Sequence, residues 1–296
     1  MNLSLAKIES RYRSPSQVAR ILTEKWALSN FYCASCGSGL SSYPTNTPLY
    51  DFHSTGCQER FQLKASKSRF GSSVLDSEYH TALDGVMRDE YPSLILLRYN
   101  PTRRTVADLE LVHRACITTS SLIRHKPLRP TAQRAGWEGC SISLANVPTL
   151  GRIGVVRDGS IRPKTAVLEQ WKQSSRLLKT KPQARGWVAD VLKCVERLYA
   201  TFTNENVYGF EGELAKMHPD NHYIRPKIRQ QLQVLCELGL IERLSPGTYR
   251  RLRERGSFPV SSQGIPNATS PICSSRIRTG GLFSKTAVVY VCHQWV

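Results

Sequence analysis

The spacing of apolar positions divides this chain into three stretches. In the first, Val18, Ile21 and Leu22 recur at helical spacing between residues 16 and 28, with Arg20 and Glu24 on the polar side and Ser16 placed to cap. Leu49-Tyr50-Asp51-Phe52 and Arg60-Phe61-Gln62-Leu63-Lys64 alternate in polarity and predict two strands. Residues 76 to 90 fit a helix. Leu94-Ile95-Leu96-Leu97 is a short apolar run suited to a buried strand, Thr105 to Val112 alternates as another, and Arg152 to Val156 reads as a further strand. Strands interleaved with helices predict an α/β layer structure.

From Arg185 the period becomes helical. Val188, Val191, Leu192, Val195 and Leu198 form one set, and Val207, Phe210 and Leu214 a second. Ile228, Leu232, Leu235 and Leu238 form a third, with Pro226 near the first turn and Gly239 placed to end the helix. Leu240 to Leu244 and Thr248 to Leu252 flank Ser245-Pro246-Gly247 as a β-hairpin. Three short helices and a hairpin predict a winged helix-turn-helix, although the pattern alone also fits an ordinary helical domain. The predicted organisation is an α/β domain over 1–182, an α+β winged-helix domain over 183–252, and a tail over 253–296. The tail is acid-free after Glu254 and rich in Ser, Pro, Gly and Thr, so weak order is expected there. Apolar Ala287 to Val291 could still add an edge strand.

Charge narrows the partner. The 296 residues carry 41 basic and 23 acidic side chains, a formal +18. Met1 to Pro182 alone holds 26 basic against 14 acidic residues, so the excess is not a tail effect. A folded domain this basic commonly faces a polyanion, because neutralising phosphates releases counterions. The alternative is a charge that serves only solubility. Nine cysteines, an odd number spread through a long chain, argue against a disulfide scaffold. The N-terminal residues lack the apolar core of a signal peptide, and no run approaches a membrane span. A soluble, cytoplasmic protein is expected.

Two kinds of chemistry overlap between Tyr32 and Lys64. Cys33-Ala34-Ser35-Cys36 followed by Cys57 has the spacing of a metal knuckle. Asp51 on one strand and Gln62-Leu63-Lys64 on the next have the layout of a metal-dependent phosphodiesterase. Asp51 would give a hard oxygen ligand, Gln62 a second through its amide carbonyl, and the Leu63 backbone carbonyl sits in line. Lys64 falls on the same strand face as Gln62, where its ammonium can position water or stabilise the transition state. Glu24 could complete a metal shell or orient Lys64. By itself an acid followed eleven residues later by Q-x-K is a weak signal.

The chain resembles the methyl-directed restriction endonucleases of the DpnI family over roughly residues 10 to 252. The matching passages are Ser16 to Trp26, Cys33 to Lys64, Lys126 to Trp137, Val147-Pro148 with Gly151-Arg152-Ile153, Arg185-Gly186-Trp187, and Lys227 to Gln233. The resemblance implies a PD-(D/E)XK nuclease core with a zinc-knuckle-like insertion, followed by a winged helix. It implies Mg²⁺-dependent Type II cleavage of double-stranded DNA at GATC whose adenines carry N6-methyl groups, by a chain expected to act as a monomer. Asp51, Gln62 and Lys64 take the catalytic positions, with Mg²⁺ on Asp51, Gln62 and Leu63.

Two positions depart from the family pattern. Gln62 stands where the family has Glu, which removes a negative charge, so the alternative is a weakened protein that reads Gm6ATC without cutting. Ser54 stands at the fourth cysteine of the knuckle. His53 could restore a Cys₃His zinc site with Cys33, Cys36 and Cys57, but one step along a strand turns its side chain to the other face. The other outcome is a weak or absent metal.

For DNA reading, Arg225, Lys227 and Arg229 cluster at the start of the third helix, while Gln230 and Gln233 suit adenine edges in the major groove. The resemblance implies a second reader at Arg134-Ala135-Gly136-Trp137, whose indole could cover methyl groups. An ordinary packing role for Trp137 is the alternative. A transcription factor using the winged helix alone is disfavoured by the Asp51/Lys64 pairing.

Overall fold

The structure is a computed structural model that describes residues 1–6, 14–45 and 47–252. The weakly ordered tail expected over 253–296, with its edge strand at Ala287–Val291, lies outside the described residues.

Helix α1 (Pro15–Asn30) opens the fold. It is followed by β1 (Leu40–Ser42), β2 (Phe52–Ser54), β3 (Arg60–Ser66), β4 (Ser73–Glu78), α2 (Tyr79–Met87), β5 (Ser93–Asn100) and β6 (Thr105–Val112). Then come β7 (Leu122–Arg124), β8 (Gly139–Ser143), β9 (Arg152–Arg157), β10 (Ser160–Ile161) and α3 (Lys164–Ser174). The second half contains α4 (Pro182–Glu196), β11 (Thr201–Thr203), α5 (Asn204–Tyr208), α6 (Glu211–Met217), α7 (Ile224–Glu237), β12 (Ile241–Ser245) and β13 (Thr248–Arg251).

A seven-stranded mixed sheet, ordered β1-β2-β3-β5-β6-β9-β10, forms the centre of the first half. Its β3–β5 pair is parallel and in register from Phe61↔Ser93 to Ser66↔Arg98. One face buries Phe61, Leu63, Ile95, Leu97, Leu109, Leu111, Ile153 and Val155 with Trp26 of α1 and Trp171 of α3. The opposite face joins Leu94, Leu96 and Val112 to a core shared with α2, α4 and α7. A second sheet, β4-β8-β7, sits on that side and carries the loop between β7 and β8.

The winged helix is present. β11 pairs with β13, which pairs with β12, closing a three-stranded sheet behind α7. Ile228, Leu232 and Leu235 are fully buried, as their spacing requires. Gly239 (φ 65°) ends α7 in the left-handed conformation; its N–H reaches Cys236 O, and the Leu240 N–H reaches Leu235 O. The wing turns at Pro246-Gly247, with Gly247 at φ 75°. Buried Asp190 of α4 ties the two halves: it accepts from Ser120 Oγ at 2.9 Å and pairs with His218 Nε2 at 2.8 Å.

Several elements differ from expectation. The buried stripe of α1 is Ala19, Thr23, Trp26 and Ala27, with Leu22 partly buried against the same core, rather than Val18 and Ile21, because the large Trp26 ring sets which side docks on the sheet. The N-cap is Ser14, not Ser16. The helix expected from residue 76 begins at Tyr79, where the Glu78 carboxylate accepts from the His80 and Thr81 N–H groups, and residues 76 to 78 end β4.

Candidate functional site

The catalytic candidates converge at the open side of β3. β2 and β3 pair only at Phe52↔Phe61 and His53↔Arg60, so beyond Phe61 the two strands separate and leave an edge. Asp51 stands at that divergence. Its N–H donates to Phe61 O at 2.9 Å, and its Oδ2 accepts from the Leu63 N–H at 2.7 Å, so its side chain takes the place of a ladder partner. Asp51, Gln62, Leu63 and Lys64 line one pocket, closed on the far side by Arg20, Thr23 and Glu24 of α1. Glu24 is held there by a 2.6 Å pair with Arg20, one helical turn away.

Gln62 is buried, and its amide oxygen Oε1 has no hydrogen-bond partner among the described residues. An unsatisfied buried acceptor costs about 1–3 kcal/mol, and Gln62 lines the same pocket as Asp51 and Glu24. The donor set of Asp51 carboxylate and Gln62 carbonyl is all hard oxygen, which fits a divalent cation such as Mg²⁺.

Lys64 pairs with Asp76, and Glu24 with Arg20. The lysine Nζ lies 2.8 Å from Asp76 Oδ1 on β4, and both side chains are buried. Asp76 also accepts from the Tyr91 hydroxyl at 2.6 Å. Burial pushes the Asp76 carboxyl up, but Lys64 and the hydrogen bonds from Lys64 and Tyr91 outweigh it and hold the group below its ordinary value. Burial and the Asp76 charge push the Tyr91 phenol well up. The sequence reading missed Asp76, because assigning residue 76 to a helix hid the alternation of Val74, Leu75 and Asp76 that marks a strand with an inward acid.

The knuckle is assembled around three sulfurs. The Sγ atoms of Cys33, Cys36 and Cys57 lie within 4.8 Å of one another, a cluster able to hold a metal ion. Ser54 fills the fourth corner, with Oγ 3.2 Å from Cys36 Sγ and accepting from the Gly56 N–H. His53 is outside the cluster: it is the outward residue of β2, its ring lies edge-on to Tyr43 at 5.0 Å, and its Nδ1 is 3.2 Å from Ser54 O. The strand alternation thus puts Ser54, not His53, beside the thiols. Burial pushes the Cys33 thiol up to about 12. At Cys36 burial acts the same way, but hydrogen bonds from Ser38 and Ser54 outweigh it and lower the thiol to about 6.

The DNA-reading candidates occupy two other places. On α7, Arg225, Arg229, Gln230 and Gln233 are exposed and Lys227 half-buried, opposite the buried stripe. Arg225 pairs with Glu211 at 2.8 Å, Arg229 donates to the Tyr208 hydroxyl, and Lys227 donates to Gln230. Arg134 and Trp137 belong to the β7–β8 loop, closed where the Leu128 N–H meets Trp137 O at 2.9 Å. Arg134 is exposed and Trp137 half-buried, its indole lying over Gly139 so closely that a Cβ there would come within 2.6 Å of it. These residues are not gathered into the pocket of Asp51, Gln62 and Lys64, but the Lys64–Asp76 pair joins β3 to the sheet that carries their loop.

A central sheet with an acid and a Gln-x-Lys triplet at its splayed edge, a cysteine knuckle inserted before it, and a winged helix behind define a nuclease core of the PD-(D/E)XK class joined to a DNA-binding domain. Comparison of the sequence with family profiles makes the assignment particular. Residues 1–181 match the DpnI profile, described as the Dam-replacing family, and residues 183–251 match the Dam-replacing HTH domain. The chain belongs to this family of methylation-dependent restriction nucleases. Among the described residues no helix is long and apolar enough to cross a membrane.

Proposed function

We propose that this chain is a methylation-dependent Type II restriction endonuclease that hydrolyses both strands of double-stranded DNA at GATC sites carrying N6-methyladenine, with Mg²⁺, as a cytoplasmic monomer. The nuclease domain spans 1–182 and the winged helix 183–252. The observation that carries this reading is the convergence of Asp51, Lys64 and the unsatisfied Gln62 amide oxygen on one pocket.

Asp51, Gln62 and the Leu63 carbonyl would hold Mg²⁺, and Glu24, which lines the same pocket, would add the negative charge that an amide at position 62 lacks. When bound, the ion would neutralise phosphate charge and lower the pKa of water. Lys64 positions the attacking water or stabilises the charge developing on the phosphate, and Asp76 fixes where its ammonium sits. Gln62, being an amide, serves as a ligand and not as a base. Zn²⁺ on Cys33, Cys36 and Cys57 would brace the insertion that delivers Asp51.

Recognition is divided. The α7 helix enters the major groove, with Gln230 and Gln233 toward adenine edges and Arg225, Lys227 and Arg229 toward phosphates. Trp137, with Arg134 beside it, covers the methyl groups in the nuclease domain. One buried methyl is worth only about 0.8 kcal/mol, which favours two readers over one.

A second reading has one observation in its favour: the amide at position 62 leaves Asp51 without a carboxylate neighbour on β3. The chain would then bind methylated GATC without cutting. Digestion of a GATC plasmid, prepared with and without adenine methylation, with Mg²⁺ or EDTA, separates the two. Cutting of the methylated form alone, abolished by EDTA, is expected. An uncut plasmid that is shifted only when methylated would establish the reader.

A further inference from the structure

We propose that Tyr223, with Pro226 beside it, is the methyl-reading surface of the winged helix, while Gln230 reads N7 of the same adenine as a donor only. This rests on the reading of the chain as a protein that recognises GATC carrying N6-methyladenine. In the major groove an unmodified adenine offers N7 as acceptor and one N6–H as donor, its other N6–H being held by thymine. A paired N6-methyladenine keeps that inner N–H, so the methyl group replaces the outer one. N7 remains and the donor is lost. A surface suited to the modified base therefore donates to N7 and sets apolar atoms, not an acceptor, against N6.

Gln230 has the first of these properties. Its Oε1 accepts from Lys227 Nζ at 2.8 Å and from Gln231 Nε2 at 3.2 Å. An amide oxygen has two lone pairs, so its acceptor capacity is used within the helix. The NH₂ group is what this exposed side chain has left for a base. It can bind N7, but it cannot make the bidentate contact that would favour unmethylated adenine.

Tyr223 has the second. It is 75% exposed and stands about two helical turns before Gln230, at the end of the helix where recognition helices meet base edges. Tyr223, Pro226, Lys227 and Gln230 follow one another at three- and four-residue spacing, share a face, and line one open groove of about 510 Å³. A lone exposed ring is ordinary by itself. This one is set on a fixed backbone, its N–H donating to Asn221 Oδ1 at 2.8 Å and its carbonyl accepting from the Lys227 N–H at 3.0 Å. Asp220 lines the groove as well as Lys227, so charge does not assign it to a bare phosphate. A tyrosine ring with a proline beside it offers a methyl group the apolar contact it needs.

The test is competition binding of methylated and unmethylated GATC duplexes to the full chain in EDTA. Tyr223→Ala is expected to lower the preference for the methylated duplex about fourfold, the worth of one buried methyl at about 0.8 kcal/mol. Tyr223→Phe should keep the preference, because the ring and not the hydroxyl covers the methyl group. Gln230→Glu puts an acceptor in place of the NH₂ group and should weaken both duplexes alike, because N7 is present in both. A preference retained by Tyr223→Ala overturns the proposal, as does an equal loss on the two duplexes, which would make Tyr223 a backbone contact. A fourfold loss in Tyr223→Phe would assign the effect to the hydroxyl and overturn it too. A Gln230→Glu loss confined to the unmethylated duplex would overturn the donor-only role. No preference in the unaltered chain would remove the functional reading and this proposal together, whereas a preference that only Tyr223→Ala leaves intact removes this proposal alone.

Discussion

Lys64 Nζ and Asp76 Oδ1 lie 2.8 Å apart with both side chains buried, so the lysine proposed to serve catalysis is also half of a buried ion pair. Removing one partner of such a pair costs about 3–5 kcal/mol, because the other charge is left without compensation. Lys64→Ala is therefore expected to abolish cleavage and also to lower Tm, which confuses a missing chemical group with a weakened fold. Lys64→Met combined with Asp76→Asn removes both charges and should recover most of the stability, measured by urea unfolding. It should still bind methylated duplex without cutting. Cleavage by the double variant would take Lys64 out of the mechanism.

Gln62→Glu tests the departure from the family pattern that lies in the pocket. The amide oxygen is buried without a hydrogen-bond partner among the described residues, so a carboxylate there meets the same burial. Without metal the variant should be less stable by about 1–3 kcal/mol. With Mg²⁺ it should gain more Tm than the unaltered chain, because a charged oxygen holds the ion more tightly. Cleavage should reach its half-maximum at lower Mg²⁺. An unchanged Mg²⁺ response would mean that the pocket has adapted to the amide, with Glu24 supplying the charge.

Elements with one strong period were readable from the chain. Thr105–Val112 alternates because one face meets the α1 side of the core, and α7 is periodic because it buries Ile228, Leu232 and Leu235 in one stripe. Strands β4, β7 and β8 were not, since they are short and join residues about 20 to 70 positions apart. Helix α3 was missed for a different reason. It buries only Val167, Gln170, Trp171 and Ser174, two of them polar, and so shows little apolar pattern. In the site, Asp51, Gln62 and Lys64 were visible as a motif, whereas Asp76 depends on a second sheet folding over the first. Asp51 reaches β3 by accepting from a backbone N–H, which no side-chain pattern encodes.

His113 makes the fold sensitive to mild acid. Burial, with Arg114 and Arg185 nearby, lowers its pKa to about 3. The ring is held neutral: Nδ1 accepts from the Ala115 N–H at 3.0 Å, which leaves Nε2 to donate to Ser175 Oγ at 3.0 Å. The unfolded histidine titrates near 6.5, so between pH 6.5 and 3 the unfolded state binds the extra proton. Its stabilisation is complete above pH 6.5 and falls by roughly 1.4 kcal/mol per pH unit below it. Unfolding free energies at pH 7.5 and 5.5 should differ by about that amount, and His113→Asn should flatten the difference. A slope retained in the variant would assign the effect to other groups.

The knuckle should respond to its fourth corner. With three thiols and a hydroxyl, Zn²⁺ is expected to bind but to be stripped readily, since a serine oxygen is a poor ligand near neutral pH. Ser54→Cys places a fourth sulfur where Oγ now sits 3.2 Å from Cys36 Sγ. Zinc retained through dialysis against a chelator should rise toward one per chain, with a matching gain in Tm. His53→Ala should leave zinc content unchanged because its ring lies against Tyr43. Loss of zinc in that variant would return His53 to the ligand set.

Variants at Trp137 and Gly139 test whether recognition can be separated from cutting. The indole rests over Gly139, where an added Cβ would come within 2.6 Å of Cη2 and 2.7 Å of Cζ3. Gly139→Ala must therefore move the ring while leaving Asp51, Gln62 and Lys64 on their own strands. If the indole covers methyl groups, Trp137→Ala should lower the preference for methylated over unmethylated GATC about fifteenfold, taking about 0.8 kcal/mol for each of two methyls. Gly139→Ala should give a smaller loss in the same direction. Both should show up in competition binding and in the ratio of cleavage rates on the two plasmids. If Trp137 serves packing alone, both variants will lower Tm and leave that ratio where it was.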